Sequence, residues 1–274
     1  MAIHPLPGTG LCDFHPCSRP FPAAPASQRK TPGDCQTCLV KHRCLAAELD
    51  GDRLAHFERN VYRLRHPFNA REVLVHQGDV MQAVYILRVG SLKAYINEPD
   101  GAERIMGFRF PGALIGLAEL EQPRWLRTFV ALEDSWLCRI PLRTLDDNVR
   151  HRLVKLMSEG LRQEYRSHLM LASRSGPGKL VSFLLEISDN FSSRGLSPSH
   201  LYLPMNYSEV ANYLGMRHES VSRMLARLQH LDLLRKDGKT LRILDLEGLR
   251  RAQELDGTSN SRWISWRGTN SLHR

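Results

Sequence analysis

The chain has 274 residues, 42% hydrophobic and 24% charged, the balance of a soluble globular protein with two domains and tails rather than of a fibre. Its formal net charge of +9 favours a polyanionic partner. Met1 to Pro25 lacks the apolar core of a signal peptide, and no apolar run approaches the roughly 18 residues of a membrane helix. A cytoplasmic chain with no membrane partner is therefore expected, its thiols reduced unless they hold a metal.

Residues 1–33 carry seven of the fifteen prolines, with Ser, Ala and Gly between them, and are expected to be a disordered tail. The segment 34–54 then places three thiols close together as Cys35-x2-Cys38-x5-Cys44, which points to metal ligation more than to disulfides. An iron-sulfur cubane needs four soft thiolates, and Cys138, further along the chain, is the candidate for the fourth. His42 leaves a second scheme open, a structural zinc on Cys35, Cys38, His42 and Cys44, and a thiol–disulfide switch is a third. Lys41 and Arg43 bring positive charge to the same stretch, while Cys12 and Cys17 lie in the tail and read as non-ligand thiols.

Residues 55–142 change to short strands. Val73–Val75, Val84–Leu87, Ser91–Ile96 and Ile105–Phe108 are separated by Gly78, Gly90, Asp100-Gly101 and Pro111-Gly112, the spacing of an antiparallel roll. Residues 143–174 predict one long helix from Asp147 to about Ser173, with Val149, Leu153, Leu156, Met157, Leu161 and Glu164 recurring at three- and four-residue steps. Such a helix buries its stripe most simply against its twin in a homodimer; packing on the roll is the alternative. Ser175-Gly176-Pro177-Gly178 marks the boundary to the next domain.

Residues 175–250 begin with a helix from Leu180 to about Arg194. A short helix follows over Tyr207–Leu214, with Ser208 as a plausible N-cap and Gly215 as its stop. A second helix runs from about Arg217 to Leu231, buried along Val221, Met224, Leu225 and Leu228, which completes a helix-turn-helix. Its exposed face carries His218, Glu219, Ser222, Arg223 and Arg227. Arg reaches guanine O6 and N7, Glu accepts from cytosine N4 and Ser serves either edge, so this face is read as contacting bases in double-stranded promoter DNA. Asp237-Gly238 between two short strands signals a hairpin wing, where Lys236, Lys239 and Arg242 are placed to meet phosphates. Residues 251–274, ending in a Ser/Asn/Arg-rich stretch with Trp263 and Trp266, are expected to be a flexible tail.

Gly215-Met-Arg-His-Glu-Ser-Val-Ser-Arg223, together with Cys138–Pro141, Thr144–Asp147 and Leu156–Ser158, resembles the CRP/FNR superfamily of transcription regulators, in particular its FNR type. The resemblance runs from about Cys35 to Leu249. It implies an α+β fold: an N-terminal antiparallel β-roll of the cyclic-nucleotide-binding kind, a long dimerisation helix and a C-terminal winged helix-turn-helix. It further implies a [4Fe-4S] cluster on Cys35, Cys38, Cys44 and Cys138, an oxygen-dependent dimer, and base contacts from Glu219, Ser222 and Arg223 to a palindrome like TTGAT-N4-ATCAA. RNA polymerase is an implied partner through roll loops such as the turn at Asp100 and Gly101. Cyclic-nucleotide-binding relatives hold ribose with a Gly-Glu pair and phosphate with an Arg-Ser pair. Here Gly112 is followed by Ala113, and Arg127-Thr128 only partly echoes the second pair. An enzyme with an accessory winged helix would need a phosphate loop, a helical metal-binding His pair or a carboxylate pair beside a nucleophile, and the sequence offers none of these.

Overall fold

A computed structural model of the chain describes residues 34–64, 67–173 and 175–255; Cys12, Cys17, Trp263 and Trp266, with the segments that hold them, lie outside the described residues. Two tight 3₁₀ turns, Lys41–Arg43 and Leu45–Glu48, lead into helix α1 (Gly51–Asn60). Eight strands follow: β1 (Tyr62–Arg63), β2 (Val73–Val75), β3 (Ala83–Val89), β4 (Leu92–Asn97), β5 (Glu103–Arg109), β6 (Leu114–Ile115), β7 (Thr128–Ala131) and β8 (Trp136–Pro141). They form two antiparallel four-stranded sheets, ordered β1-β8-β3-β6 and β2-β7-β4-β5, which enclose the first core. All four strands expected from turn spacing are present, as β2 to β5. The strands β3 and β7 are buried along nearly their whole length, which is why they read as apolar runs rather than as alternating patterns.

The cysteine segment belongs to this same core. Val40, Leu45, Ala46, Leu49, Leu54 and Phe57 are buried with the roll's Ile86, Phe129 and Ile140. Beside them Trp125 stacks edge-on against Phe129 with ring centroids 5.8 Å apart.

Helix α2 (Asp147–Ser173) has the predicted extent, but it carries two apolar faces. Val149 and Leu156 are buried in the roll core and Leu153 packs against it, so the structure gives these three residues of the expected dimer stripe to the chain's own roll. Met157 and Leu161 instead face outward together with Val154 and Tyr165; Leu161 is 72% exposed. The reason is helical geometry: Leu156 and Met157 are neighbours in sequence but about 100° apart around the axis.

Helix α3 (Gly176–Ser192) starts earlier than expected. Ser175 caps it through the Gly178 amide, and Pro177 sits in the first turn, where its missing N–H leaves no helical bond unmade. The chain continues through β9 (His200–Tyr202), α4 (Tyr207–Leu214), α5 (His218–His230), β10 (Leu234–Asp237), β11 (Thr240–Ile243) and α6 (Leu246–Leu255). The wing is a three-stranded sheet ordered β10-β11-β9. Helix α6 carries the folded domain past residue 250 into what the sequence assigned to the tail: Leu249 and Ala252 are buried, and Gln253 donates to the Ser182 hydroxyl at 2.9 Å.

The second core joins the winged helix to the roll. Phe108 of β5 meets the rings of Tyr213 on α4 and Phe183 on α3 at 5.6 and 5.9 Å. The Asn212 carboxamide pairs with the edge of β5 as another strand would, accepting from the Ile105 amide and donating to the Glu103 carbonyl, both at 2.7 Å. Lys93 on β4 bridges Glu103 at 3.2 Å and Glu209 at 3.3 Å across the same joint.

Candidate functional site

The helix-turn-helix is built by local signals. Asn206, rather than Ser208, caps α4: its side chain accepts from the Glu209 amide while the Glu209 carboxylate accepts from the Asn206 amide. Gly215 ends α4 in the left-handed region, φ +64°, where a side chain would be strained. Helix α5 then buries Val221, Leu225 and Leu228 and half-buries Met224. Its opposite side places His218, Glu219, Arg223 and Arg227 in solvent, with Ser222 half-buried beside them. Glu219, Arg223 and Arg227 follow one another at four-residue steps, so they form one ridge that begins at the N-terminal end of the helix. Gly238-Lys239 makes the hairpin turn, one residue past the Asp237-Gly238 signal and with Gly238 at φ +56°, and Asp237 pairs with Thr240; the wing strands set Lys236, Lys239 and Arg242 nearby in sequence and register. The resulting basic ridge and wing suit a groove flanked by phosphates.

The second constellation lies where the cysteine segment meets the roll. Cys35, Cys38, Cys44 and Cys138 line one recess with apolar walls from Val40, Ala46, Phe57 and Ile140. Sequence-distant Cys138 comes from the middle of β8, paired with Arg63 on β1 and with Ile86 on β3. The three N-terminal thiols are shaped by the backbone: the Cys35 amide donates to Glu58 at 2.7 Å, and Cys44 separates the two 3₁₀ turns, donating to the Lys41 carbonyl at 2.9 Å. All four thiols are free, and burial pushes Cys35 and Cys44 up to about 12. Burial raises Cys138 as well, against the pull of the Arg88 and Arg63 guanidiniums. The space between the thiols is only about 10 Å³, roughly the room of one water, so a larger group requires the segment to move away from β8. Among the described residues no three His, Cys, Asp or Glu side chains stand grouped for a single metal ion, and His42 is not among the residues lining the recess.

Two features of the recess were not legible from spacing. Arg63 and Arg88 also line it, and the Nε of each is buried without a hydrogen-bond partner. Buried N–H groups of this kind are rare and call for an acceptor. Four soft donors in one recess with two such guanidinium groups suit an anionic iron-sulfur centre. The second feature is Arg152 on α2. Its Nε donates to the Cys44 carbonyl at 3.2 Å and its Nη2 to the His42 carbonyl at 2.9 Å, and one turn on Lys155 pairs with Glu48 at 2.6 Å. Arg43, lying across Gly112, donates to the Ser193 hydroxyl just past α3 at 2.8 Å. The cysteine segment therefore touches both the long helix and the DNA-reading domain.

The roll's interior answers the nucleotide question in side chains. Arg127 donates to Glu119 at 2.8 and 3.1 Å and lies 3.6 Å from Glu164 on α2, and Glu119 is fully buried. Glu164, expected in a dimer interface, thus pairs within the chain while remaining largely exposed.

Residues 65–151 match the cyclic nucleotide-binding domain family, and residues 178–252 match the Crp-like helix-turn-helix domain family. The chain is 34% identical over 221 residues to the transcriptional activator protein FnrA of Stutzerimonas stutzeri, covering 78% of this chain and 90% of that protein. It is 31% identical over 224 residues to the fumarate and nitrate reduction regulatory protein of Yersinia pestis, covering 78% and 88% respectively. The solved structure of FixK2 from Bradyrhizobium japonicum shares its fold with a TM-score of 0.63 at 22% identity, over 69% of this chain and 96% of that one. No helix among the described residues is long and apolar enough to cross a membrane.

Proposed function

Because this chain belongs to the CRP/FNR family of transcription regulators, and within it to the FNR type, we propose that it senses oxygen or redox state through a [4Fe-4S] cluster and binds, as a homodimer, a site like TTGAT-N4-ATCAA. The family makes it a DNA-binding regulator and not an enzyme. The single observation that carries the sensing half is the recess: four thiols from two distant parts of the chain line it together with Arg63 and Arg88, whose Nε groups are buried without a partner. Cys35, Cys38, Cys44 and Cys138 are the ligands in this reading, and Arg63 and Arg88 balance their charge. When bound, the cluster supplies an oxidant-labile centre that persists only while all four thiolates are held together.

The chain's own residues carry the rest. Arg152 and Lys155 tie the cysteine segment to α2, so the position of that segment and the position of the helix are one mechanical question. The outward face of α2, with Val154, Met157, Leu161 and Tyr165 at helical steps, is the surface for a second copy. Two copies bring two α5 helices to successive turns of DNA, where Glu219, Ser222 and Arg223 read bases with His218 and Arg227 beside them. The exposed Asp100-Gly101 turn between β4 and β5 is the surface offered to RNA polymerase.

Anaerobic purification with iron and sulfide analysis tests this reading. About four of each per chain are expected, lost in air and absent from Cys38→Ala, together with anaerobic binding to the palindrome. Iron-free protein that binds the same site equally well with and without oxygen overturns the sensing half and leaves DNA recognition standing.

A further inference from the structure

The winged-helix domain holds a half-open pocket of about 260 Å³. Its walls are Phe183 and Leu184 of α3, Leu203, Val210 of α4, and Val221 and Leu225 of α5, each at most 7% exposed. Protein interiors are packed like organic crystals, and a cavity of roughly 150 Å³ lined by such side chains already accepts a benzene ring. The space behind α5 therefore matches one ring with a short tail or one medium-length alkyl chain, smaller than the guests of ordinary ligand pockets.

Polarity is confined to one end. The lining residues that reach solvent are Asn206, Tyr207, Lys236, Gly238 and Lys239. Asn206 is occupied by its capping bonds with Glu209. Lys236 holds its ammonium 4.5 Å over the Tyr207 ring, and its backbone amide is fixed by Gln229 at 3.0 Å. Neither Lys236 nor Lys239 has an ion-pair partner among the described residues, and no carboxylate lines the cavity. An apolar chamber with two cations at its rim selects an apolar body bearing one anionic head.

We propose that this cavity binds an aliphatic or aromatic monocarboxylate, and that its binding opposes DNA binding. The coupling follows from location. Val221 and Leu225 form the inner side of the helix whose outer side carries Glu219 and Arg223, and the rim lysines belong to the wing that faces phosphates. A carboxylate at the rim neutralises the wing, and by linkage DNA weakens carboxylate binding by the same factor. The proposal stands apart from the thiol recess and does not depend on a metal.

Calorimetric titration of the full chain with decanoate and with 4-phenylbutyrate, each below its aggregation range, tests the site; decylammonium is the control with the same tail and opposite charge. Saturable one-to-one binding of either acid is expected, with decylammonium at least about tenfold weaker. Preference for decanoate assigns an acyl chain, and preference for phenylbutyrate assigns a ring. Replacing half-buried Lys236 and exposed Lys239 together by Ala should weaken the acid about tenfold, and exposed Lys239→Ala alone should weaken it in part without lowering the melting temperature. Equal binding of acid and amine, no saturation by ~1 mM, or indifference to the lysine pair overturns the site. Fluorescence anisotropy on a duplex carrying the palindrome reads the coupling: about a tenfold loss of affinity at saturating acid is expected, and unchanged affinity overturns the antagonism.

Discussion

Replacing Arg152 by Ala removes one of the two side chains by which the long helix grips the cysteine segment, leaving the Lys155–Glu48 pair. Two hydrogen bonds are lost, from Nε to the Cys44 carbonyl at 3.2 Å and from Nη2 to the His42 carbonyl at 2.9 Å. Hydrogen bonds from a charged donor contribute roughly 1.5–3 kcal/mol each when buried. Here one bond is part-buried and the other exposed, and the freed carbonyls can turn to water, so the pair is discounted to about 1–2 kcal/mol in total. That corresponds to roughly a tenfold change in the equilibrium the clamp couples. None of the four thiols is touched. The expected result is therefore specific: anaerobic protein with wild-type iron and sulfide content but about tenfold weaker binding to the palindrome, with faster amide exchange over residues 41–48. The last readout applies to the metal-free protein as well, since the clamp is made by the chain alone. Affinity and iron falling together would show that Arg152 holds the ligands rather than linking them to α2. Unchanged affinity with unchanged iron would refute the link altogether.

Leu161→Glu places a charge on the outward face of α2. At 72% exposure it should leave the fold of one chain intact within about 0.5 kcal/mol while shifting sedimentation from dimer to monomer. A dimer that survives the change moves the interface elsewhere. Arg223→Ala should relax discrimination at one guanine by roughly 1–3 kcal/mol, measured by anisotropy on duplexes altered one base pair at a time. An equal loss on every sequence would make Arg223 a phosphate contact instead. Glu186 on α3 is half-buried, and desolvation raises its carboxyl above the ordinary range although Gln163 and Arg109 pull it part of the way back. The folded chain then binds more protons at this site than the unfolded chain, and the site costs stability as pH rises from about 4.5 through the raised value. Glu186→Gln should flatten the fall of melting temperature over that range, and an unaltered slope would assign it to another group.

What the sequence disclosed, and what it withheld, divides by the range of the interaction. Turn residues and apolar runs located β2 to β5, Gly215 stopped α4 as expected, and a hairpin formed at the Asp237-Gly238 signal with Gly238 supplying the positive φ of its turn. Each of these is settled within a few residues. The face of α2 was misread because it has two apolar stripes, and periodicity alone does not say which one the roll consumes: Val149, Leu153 and Leu156 went to the roll, while Val154, Met157, Leu161 and Tyr165 remained outside. The cap of α4 moved from Ser208 to Asn206 because the Glu209 partner lies three residues after Asn206, a box signature that was present in the sequence. Arg63, Arg88 and Arg152 carried no such signal. Their roles depend on strands and a helix distant in sequence meeting the cysteine segment, and a lone arginine in a strand or on a helix looks like any solvated charge.

The same distinction bears on where this roll receives its signal. In nucleotide-binding relatives an arginine of the roll waits for a phosphate. Here Arg127 is already held by the fully buried carboxylate of Glu119 through two bonds, and it extends to Glu164 on α2. A phosphate bound as those relatives bind it would have to displace Glu119, leaving that buried carboxylate without its partner, which is the costly way to break such a pair. The roll thus ties its own interior to α2 with a fixed ion pair. The adjustable contact with that helix is left to the segment that precedes the roll, which holds α2 through Arg152 and Lys155. In the proposed reading, an input at the four thiols and an output at α5 share one intermediary, and α2 is the element whose position both must specify.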